Sequence, residues 1–259
     1  MGPYTREEFA RKLGADGDPK LNAAADFAAR LLNGPIGVRV ARIVLFGSVV
    51  YGGATPDSDV DVMVFADAPP RQLSAAAAAA AWEATVETGE LVAPLTYPLG
   101  RLLYRRPYVV YDTLKRGREI YGMDEKTERR QEARGLLRKA RRLLAQASDN
   151  LTRRQYEASI VMSYTTAENA AKGLLLLKPG VDLPSTHGGV VQVFSREYIR
   201  TQEVPVEWAG QLHQRLELRT RSLYDYDSDP TESDAKDTLE FAAQIVEFLQ
   251  KKLDAEVEE

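Results

Sequence analysis

The sequence predicts an α/β (α+β) domain followed by an all-α helical bundle. Three observations carry this reading. Apolar or alternating runs of strand type fall in the first half, at residues 38–46, 59–65 and 91–97. Segments of helical periodicity lie between and before them. From Thr127 onward the pattern is helical almost throughout. A chain of 259 residues with 44% hydrophobic content can build two ordinary cores. We place the boundary near Lys126, giving domains 1–125 (core about 30–120) and 126–259.

Residues 6–13 and 20–33 carry the first helical patterns. The strand at 38–46 ends in Gly47-Ser48, and a glycine-bearing loop from Tyr51 to Ser58 leads to the strand at 59–65. Ser74 is expected to cap an alanine-rich helix that runs to Thr88, and Gly89 precedes the third strand. Helices are expected at 127–148, 153–177, just after Thr186, 207–226 and 232–254. Pro179, Gly180 and Pro184 mark one loop, and residues 225–230 another.

Composition narrows the chemistry. The absence of cysteine excludes disulfides, thiolate metal sites and cysteine nucleophiles, and two histidines are too few for a multi-histidine centre. Carboxylates, hydroxyls, basic groups and a borrowed cofactor remain. The net charge of −4 hides an asymmetry. Residues 101–154 hold 16 Lys/Arg against 7 Asp/Glu, whereas residues 203–259 hold 15 acids against 6 bases. The first twenty residues lack the apolar core of a signal peptide, and no apolar run approaches bilayer length. A cytoplasmic protein without membrane contact is expected.

The informative chemistry lies at Leu45-Phe46-Gly47-Ser48 and Asp59-Val60-Asp61. A glycine lets the backbone approach a phosphate closely, and the adjacent hydroxyl adds a donor. Ten residues separate Ser48 from Asp59. On a strand, Asp59 and Asp61 share one face, because side chains alternate. Two carboxylates beside a phosphate cradle suit Mg²⁺, which takes hard oxygen ligands and completes its shell with water and substrate phosphates. Charges entering an apolar strand are costly unless they meet cations.

This stretch resembles the nucleotidyltransferase superfamily related to DNA polymerase β, and within it the small bacterial and archaeal members, over about residues 30–120. The resemblance implies a small mixed sheet, triphosphate binding by Gly47 and Ser48, and two Mg²⁺ ions held by Asp59 and Asp61. It further implies transfer of a nucleoside monophosphate, AMP from ATP or the equivalent from another NTP, to a hydroxyl of a small molecule or a protein tyrosine. Glu90 is the candidate for the third carboxylate, acting as base. The chain departs from the small members at Val50-Tyr51, where they carry an alanine-arginine pair. A non-catalytic nucleotide-binding or interaction module is the alternative.

In the second half, Ser163-Tyr164, Ala171-Lys172-Gly173-Leu174-Leu175, Ser185-Thr186-His187-Gly188-Gly189 and residues 218–227 together resemble the HEPN helical domain, over about 130–252. Many such domains cleave RNA with an arginine and a nearby histidine. No histidine follows Arg219 or Arg221 at that distance, so RNA cleavage and an RNA partner are not favoured. The remaining candidate set is Arg219, Arg221, Asp225 and Tyr226, with Arg221 and Asp225 spaced to pair on one helix; the resemblance implies a nucleotide- or substrate-binding face there, or Tyr226 as an AMP acceptor. A homodimer through the helical domain is expected. His187 reads as structural, Trp82 and Trp208 as packing residues, and the arginines at 129, 130, 138, 141 and 142 as an interdomain helix or an anion-binding face.

Overall fold

The computed structural model describes residues 4–104 and 107–255, which divide into two compact units, Met1–Glu128 and Arg129–Glu259. Arg105 and Arg106 of the basic segment lie outside the described residues, as do Glu256, Glu258 and Glu259 of the acidic tail.

In the first unit, α1 (Arg6–Leu13) starts where the Thr5 side chain accepts from the Glu8 backbone N–H. α2 (Pro19–Asn33) starts at Asp18, which accepts from Lys20 and Leu21, with Pro19 in the first turn, where its missing N–H is harmless. β1 (Val40–Leu45) and the short α3 (Ser48–Tyr51) follow, then β2 (Val60–Ala66) and α4 (Pro70–Thr88). β3 (Val92–Pro98), α5 (Gly100–Leu103), α6 (Tyr108–Arg116) and β4 (Arg118–Gly122) complete the sheet and its cover. The sheet is small and mixed, as expected, in the order β3-β2-β1-β4. β1 runs antiparallel to both β2 and β4, while β2 and β3 are parallel across α4.

Strand alternation sorts the side chains onto two faces. Val60, Val62 and Val64 pack with Ile43, Leu45 and the buried alanines of α2 and α4. Val44, Met63 and Phe65 pack with Leu99, Leu102 and Val110 on the opposite face. Complete burial of these strand residues favours the fold by roughly 1.5–3 kcal/mol per large side chain. Several features differ from the sequence reading. Helix α4 begins at Pro70, so Ser74 is no cap; its hydroxyl lies 3.1 Å from that of Thr96 on β3. Trp82 is exposed rather than packed. Helices α5 and α6 and strand β4 were not expected.

The second unit takes in most of α7 (Glu125–Thr152), then α8 (Tyr156–Leu176), α9 (His187–Phe194), a π-helical turn at Ser195–Ile199, α10 (Glu207–Tyr224) and α11 (Glu232–Ala255). The expected stripe on α8 is core, with Tyr164, Ala167, Ala170, Ala171, Leu174 and Leu175 all buried. Trp208 packs edge-on against Phe241 and Phe248, as a packing residue should. Arg129 donates to the carbonyls of Leu176, Lys178 and Val181, satisfying the end of α8, and Arg130 donates to Leu253. These two arginines of the basic segment are engaged with backbone. Among the described residues, no helix is long and apolar enough to cross a membrane.

Glu203 joins Lys178 and Lys252. Burial opposes its ionisation, but hydrogen bonds from both lysines outweigh that and hold the carboxyl at about 2. The folded value lies below the unfolded one, so this stabilisation is complete above the ordinary glutamate range and is lost as pH falls toward 2. Glu203→Gln is expected to cost about 2 kcal/mol at pH 7 and to flatten the acid limb of the stability profile. Urea melts from pH 7 to pH 2.5 check both, and an unchanged acid limb would contradict the assignment.

Candidate active site

Antiparallel pairing brings the end of β1 to the start of β2. Leu45 is opposite Val62, and the Phe46 N–H donates to the Asp61 carbonyl at 3.0 Å. The two halves of the motif therefore meet at one place. Gly47 sits at φ 74°, ψ −158°, a conformation in effect reserved for glycine. A Cβ there would lie 2.1 Å from Asp61 Oδ2, so the missing side chain makes room for the carboxylate. The Gly47 carbonyl accepts from Val50 and Tyr51 and starts α3. Ser48, the first residue of that turn, stands partly exposed.

Asp61 is half-buried and Asp59 exposed, immediately before β2. Burial, and then the charge of Asp59, pushes the Asp61 carboxyl above its ordinary value. Neither aspartate forms an ion pair among the described residues. Two like charges, one partly desolvated and both unpaired, suit a divalent cation. The donor set is all oxygen, which matches Mg²⁺. Among the described residues, no group of three or more carboxylates and histidines is placed to hold a metal alone. A bound ion would take its remaining ligands from water and substrate.

The structure places Glu90 elsewhere. Its carboxylate accepts from Lys20 Nζ at 2.6 Å, and the same ammonium donates to the carbonyls of Pro56 and Ser58. Lys20 belongs to α2, which packs on the Val60–Val62–Val64 face. Asp59 and Asp61 have the opposite parity, that of Met63 and Phe65. In the parallel register Asp61 stands beside Ala93, so β3 brings no carboxylate next to it. Lys20 is only 8% exposed. Lys20→Ala therefore leaves a partly buried carboxylate and two carbonyls without their donor, and should cost roughly 2 kcal/mol. Thermal melts check this; a loss below about 1 kcal/mol would mean that water replaces the ammonium fully.

The candidate residues of the helical unit are not gathered into one cluster. The Arg219 guanidinium lies over the ring of Tyr164, 5.7 Å from its centroid. Arg221 lines a small polar cavity with Asp234 and Asp237. Helix α10 ends at Tyr224, and Asp225 is already extended, so the expected Arg221–Asp225 pair on one helical face does not form. Asp225 instead accepts from the Asp227 N–H, and Tyr226 is fully exposed. Sequence reasoning missed Glu168, a buried carboxylate that meets His187 Nδ1 at 2.7 Å and Lys172 at 3.0 Å. A glutamate inside the apolar stripe of α8 was the available signal.

Residues 30–144 match the family model described as nucleotidyltransferase domain. Residues 133–253 match the model described as HEPN domain. The chain thus carries a nucleotidyltransferase domain followed by a HEPN domain, and the first supports nucleotidyl transfer as its general activity. No curated protein matches the chain.

Proposed function

We propose that the protein is a Mg²⁺-dependent nucleotidyltransferase that moves AMP from ATP onto a hydroxyl acceptor. The observation that carries this reading is the unpaired Asp59–Asp61 couple, with Asp61 pressed against Gly47. In this reading Asp59 and Asp61 hold the metal, and the Gly47–Ser48 turn receives the triphosphate. Bound Mg²⁺ supplies charge neutralisation at the phosphates. The chain orients the nucleotide so that the acceptor oxygen forms a bond to the α-phosphorus. The bond to the β-phosphate oxygen breaks, pyrophosphate leaves, and the hydroxyl proton passes to solvent or a nearby base. Glu90, held by Lys20, braces the loop before Asp59 in this reading and does not act as the base.

The acceptor is either a small molecule or a tyrosine, and fully exposed Tyr226 is the tyrosine to examine. Incubation with labelled ATP and Mg²⁺, followed by pyrophosphate assay and intact-protein mass spectrometry, tests the proposal. An added AMP supports the tyrosine branch, and pyrophosphate release that depends on an added hydroxyl compound supports the other. Nucleotide binding without turnover of any of the four NTPs would favour the non-catalytic module, a reading that Tyr51 in place of the family's arginine encourages. Metal-independent RNA cleavage lost in Arg221→Ala would favour the HEPN nuclease instead.

A further inference from the structure

We propose that Arg116 is the cation that grips the β- and γ-phosphates of the nucleotide, with Tyr51 as the platform that aims it. This rests on the nucleotidyl-transfer reading and names a residue for it from outside the motif. The placement follows from the sheet. β4 pairs antiparallel with β1, Leu45 opposite Arg118, and α6 ends at Arg116, two residues before that pair. The intervening Gly117 allows no slack. A Cβ there would lie 2.6 Å from the Thr113 carbonyl oxygen and from Val44 Cγ1, and 2.8 Å from the Leu45 carbonyl oxygen. The end of α6 is therefore seated against the end of β1, where the Gly47–Ser48 turn begins.

The side chain reaches the same turn. The Arg116 guanidinium lies 4.3 Å from the centroid of the Tyr51 ring, and Tyr51 is the last residue of α3. A guanidinium stacked on an aromatic face keeps its N–H donors free around its edge. Asp112, one helical turn earlier, accepts from Nη2 at 2.5 Å and fixes the plane of the group. The remaining donors form a fork of the kind that binds phosphate oxygens two at a time. Charge balance points the same way. A polyphosphate approaching two carboxylates needs positive charge beside it, and Lys20, on the other face of the sheet, is fully engaged with two carbonyls and Glu90. Tyr51 and Arg116 thus divide between two elements the task that a single arginine within the turn would perform.

Calorimetry with Mg²⁺ and the non-transferable analogue α,β-methylene-ATP, with AMP as the control ligand, tests this. Arg116→Ala is expected to weaken analogue binding at least about tenfold while changing AMP binding less than about twofold. Tyr51→Leu is expected to give a smaller loss in the same direction. Tyr51→Arg in the Arg116→Ala background restores the cation on the turn itself and should recover most of the affinity. Arg116 is more than half exposed, so all variants are expected to melt near the wild type, which separates phosphate binding from folding. Equal losses for AMP and the analogue, or no loss at all, would overturn the assignment to Arg116 while leaving the wild-type activity as found. Absence of analogue binding by the wild type would instead overturn the nucleotidyl-transfer reading, and the role of Arg116 with it.

Discussion

Asp61→Asn is expected to abolish nucleotidyl transfer while leaving the metal-free protein more stable at neutral pH than the wild type. The two effects share one cause. The fold holds a partly desolvated carboxylate beside a second one, and burial followed by the Asp59 charge raises its proton affinity. Because the folded value lies above the unfolded one, the native state binds more protons through that window. Stability therefore falls as pH rises through it, and the penalty stays constant above. Asparagine removes the charge and the penalty together. It also removes a ligand for the cation that the site is arranged to meet, so turnover should fall by at least about a hundredfold. Melts at pH 7 with and without Mg²⁺ read both consequences. Mg²⁺ should raise the wild-type Tm and leave that of the variant unmoved. Turnover of Asp61→Asn at the wild-type rate, in a preparation free of wild-type protein, would remove this carboxylate from the mechanism.

Gly47→Ala should damage the same site from the backbone side. The new methyl group would sit 2.1 Å from Asp61 Oδ2 and 3.0 Å from Cγ, at a φ of 74°. Relief requires the carboxylate to rotate or the turn to move, and the backbone strain alone costs roughly 1–3 kcal/mol. Loss of transfer approaching that of Asp61→Asn is expected, now with a lower Tm. Gly52→Ala is the matched control. Its φ of 87° imposes comparable strain, but nothing lies within 4 Å of the added methyl. It should lose stability and keep its rate. Equal rates for the two variants would show that the close approach of Gly47 to Asp61 has no role in turnover.

The parts of the molecule legible from sequence were those in which local order carries the information. The α8 stripe identified a core helix whose burial the structure bears out, and alternation predicted Asp59 and Asp61 side by side, where the Asp59 charge acts on Asp61. Illegible features depend on residues far apart in the chain. Glu90 follows a helix-ending glycine in a way that suits either sheet face, and only Lys20, 70 residues earlier, decides between them. Arg116 and Tyr51 meet because β4 pairs with β1, and the five residues of β4 offer too short a pattern to reveal a strand. The pairing of Arg221 with Asp225 failed for a different reason. Helical spacing was extended two residues past Tyr224, where the chain had already turned away.

The loop between Tyr51 and Asp59 is closed at its base by the Phe46–Asp61 hydrogen bond and tied near its end by Lys20. Its middle, Gly52 to Thr55, is exposed. The reactive geometry is thus insulated from the length of that stretch. Doubling a flexible loop costs only about 0.6 kcal/mol in closure entropy, so insertions there are nearly silent for the fold. Descendants of this chain have in that stretch a place to gain new acceptor contacts without disturbing the chemistry beneath it.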